Sequence, residues 1–199
     1  MSEQSTVRRK RKTPDERRAE VAAAARTIAL AEGLDAVTLR AVAARMGVAS
    51  GLVAHYAPSM DELVADTFGE IVAAELRDVT ALVAPLATSE ERLGILLDTL
   101  LDGSRDDITL VWVQAWGMGA RNAALAARVR AEMDDWQAAL ASEIQRGMDA
   151  GEFAAGDSAA IAWHMLAMID GLSAHSLVRW NTQPDRRTLA SRAAFALLR

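Results

Sequence analysis

Two short apolar-periodic segments meet at a single glycine in the stretch TLRAVAARMGVASGLVAHYA, Thr38 to Ala57. Few geometries satisfy that arrangement. Gly47 permits the positive φ of a sharp turn, and Ala43 leaves space for a following helix to cross closely. Val42, Met46, Val48 and Val53 supply the apolar contacts that lock the pair, and the preceding helix, through Ile28 and its neighbours, closes a three-helix core. Thr38 can cap the first segment, which ends near Met46; the second runs from about Ala49 to Tyr56, and Pro58 ends it. Helices joined this way form a helix-turn-helix. Small residues at Ala49, Ser50 and Gly51 let the second helix approach base edges in a major groove about 12 Å wide. The same spacing also fits an ordinary helical hairpin.

Helix punctuation continues on both sides of this stretch. Thr13 with Glu16, Ser59 with Glu62 and Thr88 with Glu91 each read as a capping box, and Pro14 suits a first helical position. Gly33 is expected to stop the first helix at a left-handed position. Leu63, Val64, Phe68, Ile71, Val72 and Val79 then mark one face of a long helix that Pro85 breaks. Further helices are expected from Thr88 to about Leu101, near Asp107 to Met118, from about Asn122 to Met148, and from Asp157 or Ser158 to about Trp180. Pro184-Asp185 introduces the last one. No strand pattern intervenes, so the fold class is all-α.

The charge is divided unevenly. Residues 1–50 hold ten Lys or Arg against six Asp or Glu, whereas residues 51–199 hold twelve against twenty-one. A basic head on an acidic body suggests a polyanion partner for the head and a neutral or cationic one for the body. The run Arg8 to Lys12, which includes Arg9 and Lys10, reads either as a nucleic-acid-binding arm or as a solvated tail. The chain has no cysteine, which excludes thiolate metal sites and disulfides. No apolar stretch follows the basic run as a secretory signal requires, and the run Ala159 to Ile169 is far shorter than the roughly 20 residues of a membrane span. These features point to the cytoplasm.

All five tryptophans lie beyond the helix-turn-helix: Trp112, Trp116, Trp136, Trp163 and Trp180. Trp112 and Trp116 share a helix face, and Trp163 shares one with Asp170, close to Leu166 and Ala167. Aromatic faces with one carboxylate suit a cationic or amphiphilic ligand. Met118, Met133, Met165 and Met168 could line such a pocket. Core packing and subunit contacts are the alternative uses of these side chains. His164, Met168, Gly171 and His175 make a second stripe, with Gly171 and Ala174 leaving room for a close helix approach. Packing, rather than metal binding, is the expected role of both histidines.

The run TLRAVAARMGVASGLVAHYAPSMDEL resembles the N-terminal domain of the TetR family of dimeric transcriptional repressors. Within it, GLVAHY is most similar to the branch that contains the choline-responsive betaine-pathway repressors. The resemblance covers roughly residues 14–75, with weaker echoes at VWVQAWGMGARNAAL and IDGL. It implies a flexible basic arm (1–13), a DNA-binding domain (14–75, helix-turn-helix 39–58) and a ligand-binding and dimerisation domain (76–199). Thr38, His55 and Tyr56 would hold phosphates; Ser50, Gly51 and Leu52 would lie nearest the bases, and Val53 faces either the bases or the core. The arm would reach a minor groove or the backbone. The last two helices, about 158–199, would pair with their mates, placing Met168, Gly171 and His175 at a homodimer interface. Two positions depart from the family: Ala57 replaces a usual aromatic, and Met60 a usual lysine.

The function so implied is a sequence-specific DNA-binding regulator, a repressor released from a palindromic operator by a small molecule. No cofactor or metal is called for. An all-helical DNA binder without an effector is the first rival. A helical enzyme is the weaker one, since the sequence contains no HExxH, GxSxG, phosphate loop or GxGxxG.

Overall fold

Side-chain caps set most of the helix starts. The computed structural model describes residues 12–180 and 186–199. Arg8, Arg9 and Lys10 of the expected arm, and the Pro184-Asp185 start expected for the last helix, lie outside them. Among the described residues there are nine α-helices and no strand: α1 (Pro14–Glu32), α2 (Leu39–Met46), α3 (Ser50–Tyr56), α4 (Met60–Val83), α5 (Ser89–Leu101), α6 (Asp106–Gly119), α7 (Ala123–Asp149), α8 (Ser158–Leu177) and α9 (Arg186–Ala196). The all-α class is borne out. A 3-10 turn, Leu34–Ala36, separates α1 from α2.

Thr13 and Glu16 exchange both bonds of a capping box at α1, at 3.2 and 2.7 Å, and Thr88 with Glu91 does the same at α5. The box expected at α4 forms only its first half, with Ser59 Oγ accepting the Glu62 N–H at 3.2 Å. Gly33 also differs from expectation. Its φ of 98° is positive, but its ψ of 164° is extended rather than left-handed helical, because the chain passes directly into the 3-10 turn. The end of α8 is a second difference: it stops at Leu177, short of the expected Trp180. Arg179 takes a positive φ of 54°, and Trp180 and Arg179 donate N–H bonds back to His175 and Ser176. This is a Schellman closure with arginine where glycine is usual. The Trp180 ring packs edge-on against His175, with centroids 4.9 Å apart.

The buried residues form one continuous cluster from Val21 on α1 to Leu198. In the N-terminal part Val21, Ala25, Ile28, Val42, Ala43 and Val53 close the three-helix unit. α4 spans the boundary expected at residue 75, carrying Phe68, Ile71 and Val72 as fully buried side chains. Its 24 residues reach about 36 Å at 1.5 Å per residue. Along that length it packs against α1, α5, α6 and, most extensively, α7. α7 in turn packs on α6 and α8, so α4, α6, α7 and α8 surround a common interior. No helix among the described residues is long and apolar enough to cross a membrane.

Candidate functional site

The turn between α2 and α3 is built from three backbone features. Gly47 lies in the left-handed region at φ 65°, ψ 37°. Its N–H donates to Ala44 O at 3.2 Å, and the Val48 N–H to Ala43 O at 3.0 Å, a Schellman closure. A Cβ added to Gly47 would meet nothing within 4 Å, so its conformation and not its size makes glycine suitable. Ala43 is buried where α2 and α3 meet, as is Val53; of the two placements open for Val53, the structure has the core.

The remaining DNA-facing candidates lie on one exposed flank. Ser50 and Gly51 form the first turn of α3, both exposed, and a Cβ on Gly51 would again meet nothing within 4 Å. Leu52 and Tyr56 are half-buried, and His55 is exposed with its ring edge-on to Tyr56 at 4.9 Å. Thr38 is exposed and caps α2 through the Ala41 N–H at 3.2 Å. Ala57 is buried, and both Tyr56 and Met60 pack against the core beside it, so the space behind the His55–Tyr56 pair is filled without the usual aromatic. Sequence reasoning missed Arg40 and Arg45. Both are exposed on α2 and, among the described residues, have no ion-pair partner, whereas Lys12 and Arg17 both engage Glu20. Their signal was present in the excess of cations over the first fifty residues.

The second site is a partly open cavity of about 440 Å³ lined by α4, α6, α7 and α8, with Leu100 of α5 and Arg105 just before α6. All five ligand candidates meet on its wall: Trp112 and Trp116 from α6, Trp136 from α7, Trp163 and Asp170 from α8. The Trp112 and Trp116 rings lie 5.8 Å apart at 37°, and Phe68 supports Trp112 edge-on at 5.0 Å. Trp136 is buried, while Trp163 is 58% exposed at the rim. Three carboxylates share this wall, Glu75, Asp134 and Asp170, together with the guanidinium groups of Arg105 and Arg130. Burial pushes Asp170 up to about 6. Glu75, which sequence reasoning missed, is only 5% exposed. Burial raises its carboxyl to about 7, against the lowering pull of Arg105 and of the Trp112 indole N–H, while Asp107 and Asp170 add to the rise. The Arg105 guanidinium stands 3.9 Å from Glu75. Glu75 interrupts the apolar stripe of Phe68, Val72 and Val79, which is the mark by which it could have been found.

Aromatic faces and desolvated carboxylates in one enclosure favour a small cation, which interacts with the ring quadrupoles and restores charge to the acids. The four methionines divide between the two uses open to them, lining and packing, with packing the commoner. Met133 lines the cavity, but Met165 is fully buried in the core, and Met118 and Met168 pack against the core without lining it. In the expected interface stripe, Met168 and Gly171 are half-buried and His175 is exposed, and none lines the cavity. His164 Nδ1 lies 2.7 Å from Ala160 O. Among the described residues no group of three His, Asp or Glu side chains is placed to hold a metal ion.

Comparison with known proteins gives this arrangement a context. Residues 89–198 match the family described as BetI-type transcriptional repressor, C-terminal, and residues 21–67 match bacterial regulatory proteins of the tetR family. The HTH-type transcriptional regulator BetI of Cronobacter sakazakii is 28% identical over 148 residues, spanning 70% of this chain and 69% of the relative. Among solved structures, a TetR-family regulator from Rhodococcus sp. superposes with a TM-score of 0.78 at 20% identity, covering 93% of this chain and 100% of its own. A transcriptional regulator from Saccharomonospora viridis in complex with choline superposes with a TM-score of 0.77 at 21% identity, covering 92% and 95%. These two structures share the fold.

Proposed function

Because the chain belongs to the TetR family of transcriptional regulators, with a C-terminal half of the BetI repressor type, we propose that it is a repressor released from its operator by a small organic cation bound in the tryptophan-lined cavity. The observation that carries this reading is the convergence of Trp112, Trp116, Trp136 and Trp163 with Asp170 and Glu75 around one space of about 440 Å³. That volume lies within the roughly 300–1,000 Å³ range of small-ligand sites. Choline, bound by the Saccharomonospora viridis relative, is the first compound to test. A quaternary ammonium is the kind of group that indole faces and a carboxylate such as Asp170 attract.

In this reading a homodimer presents two α3 helices to half-sites about 34–36 Å apart. Ser50, Gly51 and Leu52 face the bases; Thr38, His55 and Tyr56 face phosphates, joined by Arg40 and Arg45. Residues 14–75 serve DNA binding and 76–199 ligand binding and pairing, with Met168, Gly171 and His175 on the α8 face between protomers. The arm with Arg8, Arg9 and Lys10 adds phosphate or minor-groove contacts. The protein acts on cytoplasmic DNA.

Release requires the cation to prefer the conformation that does not fit the operator. Footprinting on the DNA upstream of the protein's own coding sequence, with choline and a panel of other quaternary and primary ammonium compounds, tests the proposal. A protected palindrome that opens with one of these cations supports it. Protection that no cation relieves sinks the effector reading, and absence of any discrete protected site sinks the operator reading.

A further inference from the structure

We propose that Gln114 transmits the state of the cavity to the helix-turn-helix by gripping the turn that leads into α2. The inference rests on the ligand-responsive reading above. Gln114 lies on α6 among Trp112, Val113 and Trp116, three residues of the cavity wall, but is itself not part of that wall. Its carboxamide reaches instead to the 3-10 turn. Oε1 accepts the Leu34 N–H at 2.5 Å and the Asp35 N–H at 3.3 Å, and Nε2 donates to Asp35 Oδ1 at 2.9 Å. Both ends of one side chain are therefore committed to two consecutive residues of the other part of the molecule.

The turn is shaped to receive this group. A Cβ on Gly33 would lie 2.6 Å from Gln114 Oε1, and the φ of 98° at Gly33 is one that side-chain-bearing residues rarely adopt. Leu34 is fully buried and anchors the turn, and the chain runs from Val37, also buried, to Thr38, whose hydroxyl caps α2. A displacement of Leu34 and Asp35 thus reaches the first turn of the helix-turn-helix within four residues. On its other flank α6 presents two of the cavity's indoles. A ligand seated between α6 and the facing walls on α7 and α8 pushes on this helix, and packed helices respond as units rather than by local compression. N–H···O hydrogen bonds in proteins span a narrow range, roughly 2.7–3.2 Å. A shift of about 1 Å in α6 therefore either drags the turn or breaks the grip.

The test uses the full-length protein. Gln114→Leu removes both polar ends at similar volume; Gln114→Glu retains the acceptor but sets a carboxylate against Asp35, and Asp35→Asn in that background removes the repulsion. Choline affinity is read from tryptophan fluorescence, and operator affinity with and without choline from a mobility shift. The expected result is that Gln114→Leu binds choline as the wild type does while its choline-induced loss of operator affinity shrinks by about fivefold or more. Gln114→Glu should show the same defect, with Asp35→Asn restoring the response. Wild-type release in Gln114→Leu overturns the inference, as does a Gln114→Glu defect that Asp35→Asn does not relieve. A wild-type protein that neither choline nor any other ammonium compound of the panel releases sinks the effector reading separately. The grip is then judged without ligand, by a double-mutant cycle on operator affinity between Gln114→Leu and the cavity change Trp116→Phe. A coupled effect supports transmission and strict additivity refutes it.

Discussion

The buried Glu75 makes a quantitative demand on how stability varies with pH. Its carboxyl rises from an ordinary 4.5 to about 7 in the folded protein, with burial as the main cause. The folded state therefore holds a proton there that the unfolded chain gives up near 4.5. Between these two values the native protein binds more protons than the unfolded one, so stability falls as pH rises through the window and levels off above 7. At 1.36 kcal/mol per pH unit, the loss amounts to about 3 kcal/mol. Glu75→Gln places a neutral isostere in the same space and abolishes the dependence. Asp170, raised to about 6 by burial, adds a slope of the same sign to both proteins, and its charge also contributes to the Glu75 rise and so belongs to the wild-type excess. Urea unfolding of both proteins at one protomer concentration, at pH 4.5, 5.5, 6.5 and 7.5, is the assay. The Gln protein should gain on the wild type by about 3 kcal/mol across the series. The attraction to Arg105 acts only on the ionised carboxylate and is already contained in the value of about 7, so its loss adds no separate pH dependence. Parallel curves would refute the placement of Glu75 as a desolvated, largely protonated group.

Three other outcomes follow from particular contacts. Asp170→Asn should weaken binding of a quaternary ammonium in the cavity by about tenfold, the effect of losing about 1.4 kcal/mol, while operator affinity without ligand stays unchanged; calorimetry and mobility shift read the two separately. Arg40→Gln and Arg45→Gln should each lower operator affinity about equally for matched and mismatched sequences and reduce the slope of log K against log salt by about 1.8, or about 0.9 for each of the two phosphate contacts that the homodimer loses. Arg179→Gly should raise stability by about 1 kcal/mol, because it relieves the cost of a left-handed conformation at a residue with a Cβ; a thermal melt checks this.

The helix-turn-helix was legible because its determinants are local. A cap, a left-handed glycine and a four-residue spacing act within one or two turns, so Thr38, Ala43 and Gly47 could be assigned their tasks from the string alone. Gly33 shows the limit of such reasoning. Its positive φ was foreseeable, but its extended ψ depends on a 3-10 turn and on Gln114, about eighty residues away. The cavity was half legible for the same reason. Spacings of four and seven put Trp112 beside Trp116 and Trp163 beside Asp170, but no spacing reveals that α6, α7 and α8 turn these faces toward one another. The stripe on α4 is defined by its apolar members, and the inward acid at Glu75 is legible only as the residue that interrupts them.

The position of Glu75 also bears on how a bound cation does work. α4 begins one turn after the recognition helix and carries Glu75 into the cavity, so the DNA-binding part is joined to the ligand wall twice: through α4, and through α6 at Gln114. The two connections differ in kind. Gln114 makes three polar contacts of about 1 kcal/mol net each, which is comparable to a whole allosteric coupling of about 1–3 kcal/mol. α4 is held by extensive apolar burial against α7 and yields only as a rigid body. A cation near Glu75 stabilises the ionised acid, so its binding expels a proton near neutral pH and its affinity rises with pH until Glu75 is ionised without it. A neutral ligand of the same shape expels none. On the proposed reading, part of the binding energy is therefore electrostatic, and only a ligand that carries positive charge gains it: the same acid that weakens the empty fold favours cations over neutral ligands of the same shape.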